Sequence, residues 1–384
     1  MRRRAVPLVA LMSLALAAPA SANMGTPLMW LGFLQLAFGN AIIGAIEALT
    51  LRFAFQLPYR RGLVLMTCAN YASLVIGWFL LQFVEGPFNR IPPSIDVLLM
   101  LPKLIAVLWV VLFIWTVLAE APFVHRLFPP EARSWYTTLK ASLLAQTVSS
   151  LFLAPLYLSA SNYSFVTQTK IQPDLRFVQA PAAQVYYIGL DGNIWRVHID
   201  GTGKQKVKDA NATDPSARLY AKRDRGTGRW DLWCSRCGRS TEGDVKLLEG
   251  ISLKRMPTRR TTSLEEKSTK ESREVSQPRD MGMPLDYRPL QERDWTVFVD
   301  VWAERGLQVY HRGQRSYTLG METPFIAWFT RWATCLPGDY VVFNLGDYIL
   351  ILHIPTRRLG FLAAGRCPLV VMPDRDAPKE PESI

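Results

Sequence analysis

Four long apolar stretches in the first 160 residues constrain the fold of this chain more than any other feature. Pro27 to Phe55, Leu63 to Val84, Val97 to Ala119 and Leu139 to Ser159 each supply the roughly 20 mostly apolar residues that cross a bilayer as a helix. Short punctuated loops join them: QLPYRRG, EGPFNRIPPSID and RLFPPEARSWYTT. From Ser161 the composition turns mixed and polar. The expected fold class is a membrane α-helical bundle of four transmembrane helices, residues 24–160, followed by an all-β exported domain, residues 161–384.

Lysine and arginine in the short loops set the orientation. The first loop region holds Arg52, Arg60 and Arg61, and the third holds Arg126, Arg133 and Lys140. The second holds Arg90 beside Glu85 and Asp96. The first and third loops are therefore expected in the cytoplasm. An even number of crossings then leaves everything after Ser159 outside. The start of the chain reads as an export signal over residues 1–22. Arg2, Arg3 and Arg4 are its basic end, Val6 to Ala18 its short apolar core, and Ala20-Ser21-Ala22 its cleavage pattern. An uncleaved signal would put the later residues on the same side. The expected location is the bacterial inner (cytoplasmic) membrane, with the C-terminal domain on the periplasmic side. Trp30, Trp78, Trp135 and Tyr136 fall near the expected interfaces, where half-wet aromatic rings are favoured.

Polar residues inside the apolar stretches are the first candidates for function. Asn40, Gly44 and Glu47 lie at i, i+4 and i+7, one face of a helix. A face of that kind turns toward protein, because an unsatisfied polar group in hydrocarbon is costly. Counting from the cytoplasmic helix ends, Glu47, Asn70 and Gln146 reach similar depths, roughly 8 to 11 Å at 1.5 Å per residue. They are expected to form one polar layer with Thr116 nearby. The layer has two readings. It either holds the bundle together, at about 0.6 to 2 kcal/mol per hydrogen bond, or presents Glu47 as an ionisable group for proton or cation movement.

The second half carries alternating patterns. Gln184 to Val207, QVYYIGLDGNIWRVHIDGTGKQKV, alternates around Asp191-Gly192 and Asp200-Gly201 and reads as three antiparallel strands. Asp339 to Leu362 repeats the pattern at an offset of 155, with His198 matching His353 and Ile194 matching Ile349. Arg218 to Cys234 and Trp295 to Gly313 read as two further hairpins. The stretch Tyr186 to Lys206 resembles the blades of TolB-like and YWTD-like β-propellers. The resemblance implies four-stranded blades stacked around an axis, and the full signature is not seen four times. An irregular β-sandwich is the alternative. Residues 254–294, highly charged and poor in large apolar side chains, are expected to be a disordered insert. Residues 373–384 are expected to be a disordered tail.

The remaining chemistry is sparse. Cys234 and Cys237 form a CxxC at the end of an expected strand, without the second close pair a zinc ribbon needs. They are expected as a local disulfide or as two thiols in a turn. No nucleophile elbow, P-loop, dinucleotide fingerprint or HExxH occurs. No enzyme activity, metal or cofactor is expected. The net charge of +12 is dispersed among acids, so no nucleic-acid partner is expected. The expected partners are the lipid bilayer and, for the exported domain, a protein, peptide or envelope polymer. The functional expectation is a membrane-anchored envelope protein with a binding domain outside. The alternative is a subunit of an ion- or proton-coupled transport system using Glu47.

Overall fold

The computed structural model describes residues 26–88, 93–180, 182–224, 226–227, 229–237, 244–251, 253–255, 275–276, 285–287, 293–300, 302–323 and 327–373. The export signal, most of residues 254–294 and the tail beyond Pro373 lie outside the described residues. The chain divides into two compact units. One is helical and contains residues 1–91, 102–162 and 322–326. The other is mostly β and contains residues 92–101, 163–321 and 327–384.

The helices are α1 (Pro27–Leu34), α2 (Asn40–Phe55), α3 (Tyr59–Phe88), α4 (Ile95–Leu127) and α5 (Trp135–Ala160). A single π turn, Gln35–Gly39, joins α1 to α2. Thr26 caps α1, its hydroxyl accepting from the Met29 N–H at 3.2 Å, with Pro27 at the first helical position. Proline suits that position because its missing N–H has no intrahelical partner to lose. Gln56 closes α2 in the left-handed region, at φ 56°. The chain returns to this unit at Glu322. There its carboxyl accepts from the Thr26 hydroxyl at 2.7 Å, and its backbone pairs in both directions with Asn162, beyond the end of α5.

Two of the helices, α4 and α5, are long and apolar enough to cross a membrane. The helical unit distributes its side chains in the reverse of the soluble pattern. Ile42, Phe53, Val64, Val107, Ile114 and Phe152 are exposed, while Asn40, Glu47, Asn70, Glu120 and Gln146 are buried. Contiguous apolar exposure of this kind marks a membrane or an apolar partner as the solvent for that face. Small residues bring the helix backbones close. Ala69, Ala141 and Ala145 are fully buried beside Leu51, Met66 and Val124. A Cβ placed on Gly44 would lie 2.7 Å from both the backbone N and the hydroxyl of Thr67 in α3.

The β unit is built on one long strand, Arg358–Pro373. Its first part pairs antiparallel with Tyr348–His353, Leu359 opposite Leu352. Its later part pairs antiparallel with Gln184–Gly189, Val370 opposite Val185. The register breaks between Arg366 and Leu369, where Cys367 takes a φ of 52°. A bulge of this kind bends a strand and strengthens its twist, so one strand serves two hairpins of a curled sheet. The sheet runs Leu285–Asp286, Thr330–Leu336, Tyr340–Leu345, Tyr348–His353, Arg358–Pro373, Gln184–Gly189, Ile194–His198 and Gln205–Lys208, with Lys170–Gln172 and Leu253–Arg255 also on the long strand. A three-stranded sheet (Trp295–Val299, Leu307–His311, Gln314–Leu319) and a four-stranded sheet (Asp244–Ile251, Trp230–Ser235, Arg218–Arg223, Val275–Ser276) complete the described strands.

The hairpins expected from alternation are all present as antiparallel pairs. The two segments of the expected repeat belong to a single sheet, joined through the long strand, rather than to separate four-stranded blades. That sheet is buried on both faces. Val185, Tyr187, Val197 and Val370 enter one core, and Tyr186, Ile188, Leu369 and Val371 enter the other. The turns follow their sequence: Gly192 and Gly201 take φ of 74° and 84°, a region open to glycine at no steric cost. The Thr202 hydroxyl donates to Asp200 at 2.7 Å and holds that carboxyl below the usual carboxylate range. The edge strand Gln205–Lys208 is blunted by Lys206 and Lys208, a device that discourages edge-to-edge pairing.

Pieces of the stretch expected to be a disordered insert join the sheets. Leu285 and Asp286 pair in parallel with Thr334 and Cys335. Tyr287 is fully buried and its hydroxyl donates to the Val370 carbonyl at 2.7 Å. The reason is local: Leu285 and Tyr287 supply apolar side chains inside a polar stretch.

Two substitutions test these contacts. Asn344 is fully buried and its amide donates to the carbonyls of Gly365 at 2.8 Å and of Gly346 and Tyr348 at 3.3 Å. Asn344→Leu strands those carbonyls and is expected to cost the β unit about 2 to 3 kcal/mol, read as a shift in denaturant midpoint. Gly44→Ala forces α2 from α3 and is expected to cost about 1 to 3 kcal/mol, read by thermal unfolding in detergent.

Candidate functional site

A single side-chain amide organises the interior of the helical unit. The Gln146 Nε2 of α5 donates to Glu47 Oε1 of α2 at 2.9 Å and to Glu120 Oε2 of α4 at 2.5 Å. A primary amide nitrogen carries two hydrogens, so each is committed to a different carboxyl group. Asn70 of α3 donates to Glu47 Oε2 at 2.6 Å and also to the Met66 carbonyl of its own helix at 2.9 Å. The Ser149 hydroxyl donates to Glu47 Oε1 at 2.9 Å, and the Ser73 hydroxyl to Glu120 Oε1 at 3.2 Å. Both glutamates are 0 % exposed. The polar layer thus draws one acid each from α2 and α4 and its neutral donors from α3 and α5.

The residues expected together are distributed as follows. Glu47, Asn70 and Gln146 meet as a hydrogen-bonded group. Gly44 lies on the same face as Glu47 and supplies the close approach to Thr67 rather than a ligand. Asn40 also lies on that face, two turns away, and its Nδ2 is buried without a hydrogen-bond partner. Thr116 does not join the layer: its hydroxyl donates to Leu112 of its own helix. Glu120, one turn beyond it, does. The third apolar stretch ends at Ala119, before the first acid, whereas α4 continues through Pro122 to Leu127. A spacing in the sequence points to Glu120: it precedes Arg126 by six residues, much as Glu47 precedes Arg52 by five.

Cys234 and Cys237 belong to the β unit. They are joined as a disulfide with Cα atoms 5.8 Å apart, and both are buried in a core with Leu219, Leu232 and Cys367. Packed there, the bond is a structural brace. Among the described residues no group of three or more His, Cys, Asp or Glu gathers as a metal site.

The electrostatics of the carboxyl pair follow from its geometry. Two oxygens hydrogen-bonded to one nitrogen are no more than about 5.5 Å apart. Two full negative charges at that separation repel by about 3 kcal/mol at an effective dielectric of 20. No Lys, Arg or His is among the hydrogen-bond partners described above to offset them. Burying two ions adds several kcal/mol for each. Repulsion and burial therefore both disfavour a pair that carries two full negative charges. No known protein family, curated protein or solved structure matches this chain.

Gln146 is the test of this arrangement. Gln146→Leu deprives both carboxyls of their shared donor and is expected to lower stability by about 2 to 4 kcal/mol. Adding Glu120→Leu removes one of the stranded acids. The double variant is expected to unfold later than Gln146→Leu alone, a coupling read from the double-mutant cycle.

Proposed function

We propose that this chain is an integral membrane protein whose helical unit takes up and releases one positive charge at the Glu47–Glu120 pair. In this reading four crossings, with α1 and α2 together forming the first, hold the β unit on the periplasmic side of the inner membrane. There the β unit engages a protein, peptide or envelope polymer, and the chain carries out no enzymatic reaction of its own. The observation that supports the reading is the sharing of Gln146 Nε2 by two fully buried acids. One buried acid with neutral donors is adequately explained as a brace between helices. Two acids on one donor raise the cost of the empty state, which a brace has no reason to do, and ionisable groups at membrane depth mark pathways for charge. The observation favours the ion-coupled reading over that of a passive anchor.

Two measurements test it. A reporter that works only in the cytosol, fused after Ile384, is expected to stay silent, and one that works only outside is expected to be active. The reverse result removes the topology. Infrared difference spectroscopy of the purified full chain in liposomes, stepped in pH, is expected to show a protonated-carboxyl band that appears and disappears reversibly. Glu47→Gln and Glu120→Gln are each expected to abolish or displace it. A band indifferent to pH and to both substitutions would leave the pair as a brace.

A further inference from the structure

We propose that the charge held by Glu47 and Glu120 is a proton, and that it moves within the helical unit along a polar file running from His125 to Asn40. This rests on the reading above and adds the identity of the ion and its route.

The first half of the file lies on α5. Thr138, Ser142, Gln146 and Ser149 follow one another at spacings of four, four and three, so they share one face of the helix. All four are buried. At the start of this face His125 Nδ1 lies 2.9 Å from the Thr138 hydroxyl. That hydroxyl already donates to the Ser134 carbonyl at 2.8 Å, so it accepts from the ring. Nδ1 therefore carries the hydrogen in this contact. Stacking on Trp135, at 4.4 Å between centroids and 8° between planes, fixes the half-buried ring. Between Thr138 and Gln146 stands Ser142, 1 % exposed, its hydroxyl without a hydrogen-bond partner. Successive members of the face are about 6 Å apart along the helix axis. A buried hydroxyl left dry would cost about 1 to 3 kcal/mol.

The second half lies between α2 and α3. Asn40 is 3 % exposed and its Nδ2 has no hydrogen-bond partner. It shares the face of Glu47, about 10 Å along the axis. Gly44 is midway between them and carries no side chain, and the space its Cβ would take is occupied by the Thr67 hydroxyl. Thr67 thus places a donor and acceptor in the middle of the interval. The π turn Gln35–Gly39 ends immediately before Asn40. Such turns leave a backbone ladder one residue out of step and recur at functional sites. The unpartnered polar atoms of Asn40 and Ser142 therefore flank the carboxyl pair on opposite sides along the helix axes.

The chemistry of the donors selects the proton over a metal cation. Gln146 Nε2 and Asn70 Nδ2, which have no lone pair to offer, direct hydrogens at three of the four carboxyl oxygens. A sodium ion would need lone pairs where those two amide nitrogens stand. A proton needs only one carboxyl oxygen. The ionisable groups facing each glutamate from the packed helices reduce to the other glutamate, since α3 and α5 contribute neutral side chains there. Arg52 and Arg126, near the helix ends, are exposed. One proton enters at the His125 end, forms an O–H bond on the pair, and leaves that oxygen toward Thr67 and Asn40 as the next arrives. No other bond forms or breaks.

The test uses the purified full chain in liposomes holding a pH-sensitive dye, with a potassium gradient and valinomycin to drive inward charge movement. Wild-type protein is expected to acidify the lumen at the same rate in sodium and in choline medium. Glu47→Gln and Glu120→Gln are each expected to slow the flux at least tenfold. Ser142→Ala, which removes no hydrogen bond present in the structure, is expected to slow it several-fold while unfolding at the wild-type temperature. Asn40→Leu is expected to do the same from the other side. Flux that depends on sodium, or that ignores both Ser142→Ala and Asn40→Leu, overturns the file. Absence of wild-type flux beside a carboxyl band that still titrates also overturns it, while leaving the proton-holding pair intact. Loss of both signals removes the pair and the file together.

Discussion

The helical unit depends on one constraint: a polar group buried among apolar helices must find its partner inside the unit. With apolar side chains covering the outside, no other place offers Glu47 or Glu120 a hydrogen bond. Gln146 satisfies both at once, and this fixes α2, α4 and α5 at a common depth. Asn70 adds α3 through Glu47. The small residues follow from the same requirement. Side-chain hydrogen bonds of 2.5 to 2.9 Å close only if the backbones approach, and Gly44, Ala69, Ala141 and Ala145 permit that approach. Polar chemistry and close packing are two aspects of one interface.

The two units solve the burial problem in opposite ways. In the β unit the sheet around Gln184–Gly189 and Arg358–Pro373 is covered on both faces, so its main-chain groups are satisfied by neighbouring strands and its side chains by two cores. In the helical unit most main-chain groups are satisfied within their own helices, and side chains bring the helices together.

The sequence revealed the local features of this protein and concealed the distant ones. Alternation and the Asp-Gly turns identify the strands of Gln184 to Val207, because strand and turn preferences are local. The pairing of Leu369 with Tyr186 is not local, and nothing in either segment names the other. Nor does alternation disclose that a second core will cover the other face. In the helices, the i, i+4, i+7 spacing of Asn40, Gly44 and Glu47 was enough to place one face inward, and depth arithmetic brought Asn70 and Gln146 to it. Glu120 escaped because a charge usually ends an apolar stretch, and here it does not. Its helix continues because the acid finds partners within the unit, which a count of apolar residues does not weigh. Ser142 is inconspicuous for a related reason: a serine in an apolar helix is unremarkable until its hydroxyl proves to be buried with nothing to bond.

The partner switch of the long strand at Cys367 has a consequence for biogenesis. Arg358–Pro373 follows both hairpins that it joins, so those hairpins leave the ribosome with an unpaired edge each. Until the closing strand arrives, Gln184–Gly189 and Tyr348–His353 offer open hydrogen-bonding rims to any neighbour. A chain assembled in this order needs shielding while it is incomplete. The edge of Gln184–Gly189 waits longest, because its partner is made some 170 residues later.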